Sequence, residues 1–350
     1  MFTALRRLQP RKALASSLAG ALLLAGLVGC GTGGSTAASG GGTNSAGLAP
    51  LRLGVMTDNA TAYVATIGVE KKIFEKNHLD VKVSAFGVGI DTVNAVTTNQ
   101  ADIGFAQDFA ILNRIGAAPS GNLKIFTELN RSNANSPAAY QFVGKNISSP
   151  AELAGKGIIT NKGTVVEYWI AKTLEKYKVD PSSVKLYPIE SAQEGLALLQ
   201  SGQASAEWTS GKGAALAKAI PGVKTIATLK TIDTPTIALG VSTESYLKDH
   251  PTEVKNYLTS LNQIYQFIEK NPDEAAAILQ KANNIPKDQA LLNLEASKNQ
   301  LQFTQDTLTT LNDITQWGVK NGVIKNNFDV KSYVNTDALK ATFPDSVTLK

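Results

Sequence analysis

The chain of 350 residues is 43% hydrophobic and 18% charged, with two histidines and a single cysteine. Of its formal charge of +5, four units belong to the first 29 residues, where Arg6, Arg7, Arg11 and Lys12 meet no acidic residue, leaving 30 basic residues against 29 acidic beyond them. No cluster of Lys and Arg interleaved with aromatics remains, which excludes nucleic acid as a partner, and one cysteine excludes an intrachain disulfide or a thiolate metal cluster.

The first segment is an export signal. A basic stretch precedes an apolar run from Ala13 to Val28, broken by Ser16, Ser17 and two glycines, the pattern of a secretory signal peptide. The run is shorter than the roughly 20 apolar residues of a transmembrane helix. Leu27-Val28-Gly29-Cys30 resembles a bacterial lipobox, in which the Cys30 thiol is lipidated and becomes the new amino terminus. The alternative is an ordinary signal peptide followed by an incidental cysteine. Residues 31–48 are nearly all Gly, Ser, Thr, Ala and Asn, too polar to order themselves. They make a leash with a reach of about 20–25 Å. The expected division is a signal peptide at 1–29 and a linker at 30–49.

From Pro50 onward, short apolar runs alternate with helical patterns, which argues for α/β architecture with largely parallel sheets. The spacing predicts a strand over Leu51–Met56, a helix from Tyr63 through Lys76, a turn at Asn77-His78 and a strand over Val81–Phe86. A helix ending near Asn99 and a strand over Ala101–Phe105 follow. The same order recurs with a strand at Gly157–Thr160, a helix at Val165–Tyr177, a strand at Val184–Tyr187, a helix at Glu194–Ser201 and a strand at Ala204–Trp208. Phe74-Glu75-Lys76 parallels Leu174-Glu175-Lys176, and Asn99-Gln100-Ala101 parallels Gly202-Gln203-Ala204. Two lobes on one plan are therefore expected, the first from 50–130 with 237–350 and the second from 131–236. Polar residues 128–137 and Asp233-Thr234-Pro235 are expected to cross between them, with Glu128 to Arg131 and Asp233 to Thr236 as a double hinge. Helices are predicted over Glu253–Lys270, Pro272–Ala282, Lys287–Lys298 and Asp306–Gly322.

Open parallel sheets bind ligands beyond the carboxyl ends of their strands, where helix N-termini and loop amides converge. That rule nominates Asp58 and Asn59, Val88, and Gln107 with Asp108 in the first lobe, and Gly163 with Thr164, Glu190 and Trp208 in the second. Arg131 joins them as a cation beside the cleft. Each has a plainer reading. Trp208 packs under the hinge, Thr164 caps a helix, Asp108 and Glu190 are caps or solvated charges, and Arg131 pairs with Glu128. Tyr168 and Trp169 are consecutive on a helix, so at most one faces the cleft.

The chain resembles the solute-binding lipoproteins of ATP-binding-cassette importers, in the branch for nitrate, alkyl sulfonates, taurine and thiamine-precursor pyrimidines. The resemblance is carried by Pro50–Val55, Phe74–Phe86, Ala101–Phe105, Leu153–Gly157, Lys162–Thr164, Ala197–Gln203 and Asn271–Ala275. It implies a two-lobed type II periplasmic-binding-protein fold, with C-terminal helices on the first lobe and a small molecule held between the lobes. It also implies an extracytoplasmic, monomeric protein, anchored through its lipid, that docks on a membrane permease and its ATPase. Gly163-Thr164 would receive an anionic head group. Val165-Val166 and Trp208-Thr209-Ser210 depart from the pattern, and Asp58, Asp108, Glu167 and Glu190 make the mouth acidic, which turns the expected ligand toward a ring or an amine. No catalytic motif, metal ligand set or cofactor site is read, and His78 and His250 look structural. A lipid-anchored sensor feeding a membrane receptor has the same sequence features.

Overall fold

The computed structural model describes residues 47–57, 60–119, 121–133, 135–136, 139–162, 164–189 and 191–349. Cys30 and nearly all of the linker lie outside them.

The first half-sheet is built from β1 (Ala49–Met56), β2 (Leu79–Phe86), β3 (Ile103–Gln107) and β4 (Leu123–Ser132). Between them run α1 (Ala60–Glu70), α2 (Ile73–Lys76), α3 (Gly89–Thr97) and α4 (Asp108–Ala117). A second sheet follows, with β5 (Gln141–Lys145), β6 (Gly157–Thr160), α5 (Val165–Lys176), β7 (Lys185–Pro188), α6 (Ala192–Ser201), β8 (Ala206–Thr209), α7 (Gly211–Lys218) and β9 (Val223–Thr228). The chain then returns through β10 (Ile237–Thr243), α8 (Glu244–Asp249), α9 (Pro251–Lys270), α10 (Pro272–Asn283), α11 (Lys287–Glu295), β11 (Ser297–Thr304), α12 (Gln305–Lys320), α13 (Asp337–Thr342) and β12 (Val347–Thr348).

Both sheets follow one order. The larger reads β2-β1-β3-β10-β4-β11-β12 and the smaller β7-β6-β8-β5-β9. In each, a strand delivered from the other side of the molecule, β10 or β5, runs antiparallel between the third and fourth parallel strands. The duplicated punctuation has a conformational cause. His78 and Lys178 follow the equivalent helices α2 and α5 with φ of 62° and 56°, and Asn99 and Gly202 follow α3 and α6 with φ of 58° and 77°. Left-handed residues of this kind end helices and turn the chain into the next strand.

Burial follows the patterns that build these elements. Leu51, Leu53 and Val55 alternate into the core from β1, while α9 buries Val254, Tyr257, Leu258, Leu261 and Ile264 at helical spacing. A smaller core of Val143, Ile159, Ile189, Leu199, Ala204, Ala217 and Val223 fills the far face of the five-stranded sheet.

Three expectations are corrected. The single helix from Tyr63 to Lys76 is two, broken where Lys72 takes a φ of 53°. The helix expected through Lys298 ends at Glu295, and Ser297–Thr304 is the strand β11. Its Leu301 and Phe303 sit two apart, the period of a strand, and Phe303 is buried. Glu128 to Arg131 is not a hinge but part of β4, paired on one side with Ile237 to Leu239 and on the other with β11. The crossing begins only after Ser132. The polar letters misled because these side chains satisfy one another: buried Glu128 accepts from Arg131 Nε at 2.6 Å and Thr307 Oγ1 at 2.6 Å, and also from Gln300.

Gly104 shows how closely α3 lies on β3. A Cβ there would stand 2.8 Å from the Thr92 carbonyl oxygen and 2.9 Å from Val96 Cγ2. Backbone cannot yield as a side-chain tip can, so Gly104→Ala is expected to destabilise the protein by about 1–3 kcal/mol. Chemical denaturation checks this, and an unchanged midpoint contradicts the packing described.

Candidate functional site

The antiparallel strands decide where the site is. β10 begins at Ile237 just after the second crossing, and Ala238 pairs with Gln107, so β3 ends at that crossing. β5 begins at Gln141 just after the first crossing and pairs there with Thr209 of β8 and Thr228 of β9. The carboxyl ends of both sets of parallel strands therefore meet along the crossings, residues 133–140 and 229–236.

On the larger sheet, β3 passes into α4 without a loop. Asp108, the first residue of α4, is buried; its Oδ1 accepts from Phe109 N at 2.7 Å and its Oδ2 from Ile237 N at 3.0 Å. It thus staples the start of β10 to the end of β3. Burial pushes its carboxyl up from 3.8 to about 7, against the lowering by those two N–H donors; Glu128 adds to the rise and Arg131 opposes it. Oε1 of Gln107, the last residue of β3, is buried without a hydrogen-bond partner. Arg131, expected as a free cation, turns its guanidinium to Glu128, to Asp306 at 2.6 Å and to Thr307 at 3.2 Å. The plainer reading of that residue, a partner for Glu128, is what the structure shows.

On the smaller sheet, Trp208 is only 2% exposed. Its ring stacks on Phe142 at 5.1 Å and tilts against Trp169 at 5.7 Å, and Tyr140 closes the row 4.6 Å from Trp169. The Tyr140 hydroxyl is hydrogen-bonded to the Ser210 side chain. Of the consecutive aromatics on α5, Trp169 enters this core, while Tyr168 meets Trp317 of α12 edge-on at 5.1 Å. That contact joins the element after β6 to the C-terminal helices of the other sheet.

The helix starts differ. Thr164 caps α5: its hydroxyl accepts from Val166 N at 3.2 Å and donates to the Asn161 carbonyl at 2.7 Å. Ser191 caps α6. α3 begins after exposed Val88 with no side-chain cap, and a Cβ on Gly87 would meet only open space. Asp58, Asn59, Gly163 and Glu190 lie outside the described residues. The structure thus brings Gln107, Asp108 and Trp208 to the strand ends beside the crossings.

Residues the sequence did not nominate stand there too. Among the described residues, eight buried side-chain polar atoms lack a partner: those of Gln107, Thr160, Trp208, Thr234, Thr236, Tyr246, Tyr257 and Asn299. Thr160 ends β6, Thr234 and Thr236 lie in the second crossing, and Asn299 pairs with Asn130 near the end of β4. Native proteins leave few such atoms unpaired, and here six of the eight gather at strand ends or on a crossing. The available signal was the hydroxyl pair flanking Pro235, in a segment already read as a crossing.

Residues 57–275 match the family described as NMT1/THI5 like. No curated protein matches the sequence. Solved structures with the same fold include the periplasmic aliphatic sulphonate binding protein SsuA from Escherichia coli, at 13% identity and a TM-score of 0.70, covering 82% of this chain and 92% of that one. The alkanesulfonate-binding SsuA from Xanthomonas axonopodis pv. citri, bound to MOPS, has 15% identity and a TM-score of 0.64, covering 82% and 98%. The desulfurization enzyme DSZB has 13% identity and a TM-score of 0.62, covering 85% and 99%. At such identities the likeness establishes the periplasmic-binding-protein fold.

Asp108 makes stability depend on pH. Its folded value of about 7 lies above the ordinary 3.8, so the unfolded chain gives up this proton first. Its contribution is full below about pH 4 and is lost as the pH rises toward about 7, at a slope of up to about 1.4 kcal/mol per unit. Glu207, raised by burial to about 7 on the opposite face of β8, acts in the same direction. Denaturant midpoints of the ligand-free protein are expected to fall across this window, and less steeply in Asp108→Asn. An identical slope in that variant contradicts the assignment.

Proposed function

The chain belongs to the NMT1/THI5-like family, and from that premise we propose that it is the solute-binding component of an ATP-binding-cassette importer. In this reading it captures a small organic molecule where the two sets of strand ends meet and delivers it to a membrane permease and its ATPase. The lobes are residues 50–130 with 237–350 and residues 131–236. A lipid on Cys30 and the leash after it hold a monomeric protein at the outer face of a membrane. No helix among the described residues is long and apolar enough to cross one.

One observation carries the reading: the unpartnered polar atoms of Gln107, Thr160, Trp208, Thr234, Thr236 and Asn299 at the strand ends and the second crossing. A buried polar group without a partner costs about 1–3 kcal/mol. A bound molecule that supplies donors and acceptors there recovers that cost on binding. DSZB shows that the fold also serves catalysis. Binding is favoured here because both histidines stand at the opposite strand ends. His78 lies in the turn before β2, and His250 stacks on Tyr246 at 4.5 Å, beyond the end of β10.

The test is thermal unfolding of protein that has been unfolded and refolded to strip any carried ligand. The panel holds nitrate, alkyl sulfonates, taurine, thiamine-precursor pyrimidines, riboflavin and purines. A ligand at about 100 times its dissociation constant stabilises by about 2.7 kcal/mol, several degrees in midpoint. Trp208→Phe, which keeps a ring in the row but removes the buried N–H, is expected to weaken that ligand's binding about 5–10-fold. Equal affinity in Trp208→Phe removes Trp208 from the site, and no shift with any compound counts against the transport reading.

A further inference from the structure

Among the described residues, the strand ends of the larger sheet offer hydrogen-bond acceptors, and the cation there, Arg131, is engaged by carboxylates. The Asp108 carboxylate accepts one backbone N–H on each oxygen, so half of its acceptor positions remain open. Gln107, the preceding residue, has a buried and unpartnered Oε1. The titratable and charged groups set around Asp108 are Glu128 and Arg131 from β4 and, from α5, Tyr168, whose hydroxyl feels its charge. Arg131 alone is a cation, and four of its five N–H donors go to Glu128, Asp306 and Thr307. Asp108 is 1% exposed, and a buried charge is costly unless it is paired. Where Asp108 is ionised, a sulfonate or nitrate set against it would add a second buried negative charge. An ammonium or a protonated ring nitrogen would bring both the missing charge and N–H donors for the open acceptor positions.

We propose that this site selects ligands carrying a cationic N–H group, seated against Asp108 with Gln107 Oε1 as a second acceptor. The proposal rests on the solute-binding reading and narrows it: the chain shares its fold with sulfonate-binding proteins but takes the opposite ligand charge. The unpartnered threonine hydroxyls of the second crossing, Thr234 and Thr236, then serve the uncharged part of the same molecule. Asp108 both staples β3 to β10 and reads the ligand, so its charge couples occupancy to the strand that carries the second crossing.

Two probes with one ring and opposite charge separate the alternatives. Thermal unfolding of the refolded full-length protein is measured with benzylamine or benzenesulfonate at matched millimolar concentration. The buffer is mildly alkaline, so that Asp108 is ionised and the amine stays protonated. Benzylamine is expected to raise the midpoint by about 2–4 °C and benzenesulfonate to leave it unmoved. Asp108→Asn, which keeps an acceptor for Ile237 N–H, is expected to lose the benzylamine shift. Gln107→Met removes the second acceptor without touching either backbone bond and is expected to reduce the shift, which keeps the test open if Asp108→Asn does not fold. A shift with benzenesulfonate in place of benzylamine overturns the charge assignment and leaves solute binding standing. An undiminished benzylamine shift in both variants overturns the seat at Asp108. No shift with either probe also overturns the proposal, and the nutrient panel then judges the transport reading separately.

Discussion

The arrangement depends on one constraint, that each sheet accepts an antiparallel strand delivered by a crossing. β10 enters between β3 and β4, and β5 between β8 and β9. Because each inserted strand starts at a crossing and runs against its neighbours, the parallel strands on either side must end there. The strand ends of both sheets are thereby drawn to the same two segments without any contact chosen for binding. Asp108 secures the junction by holding the Ile237 amide to the first residue of α4.

Two polar groupings near these crossings behave in opposite ways. Around Glu128 the strong groups answer one another: Arg131, Thr307 and Gln300 converge on one carboxylate, and Asp306 takes a further arginine donor. Such a network fixes β4, β11 and α12 relative to one another and leaves little to offer a ligand. Among Gln107, Thr160, Trp208, Thr234 and Thr236, buried polar atoms are left open. The first grouping is closed on itself, and the second keeps open donors and acceptors. Tyr168 against Trp317 places an aromatic contact between α5 and the well-anchored α12, so the two groupings are mechanically joined.

Much of this was legible in the sequence wherever local period and punctuation act alone. β6 falls at Gly157–Thr160 as read, and α5 within one residue of the reading. The helix stops that signalled a duplication prove to be left-handed residues at equivalent places. What stayed hidden depends on partners distant in sequence. β4 looked like a polar hinge because its Glu128 and Arg131 are completed by residues about 175 positions away. The start of β11, Ser297 and Lys298, looked helical because its strand form comes from pairing with Ser132 and Arg131 of β4. Of the nominated residues, Thr164 is a cap and Arg131 an ion-pair partner, roles that the same letters allow. Thr160, Thr234 and Thr236 carried no motif, since a lone threonine gains meaning only when burial denies it water.

The open polar atoms along the crossings are either a ligand site or tolerated defects. A high-resolution crystal structure of the full chain, purified without an unfolding step, decides between the two directly. A ligand site requires an organic molecule between the strand ends, with polar atoms within hydrogen-bond distance of Trp208 Nε1, Gln107 Oε1 and at least one of the threonine hydroxyls. Repacked side chains or ordered waters that satisfy all of these atoms, with no space left for a ligand, would contradict it.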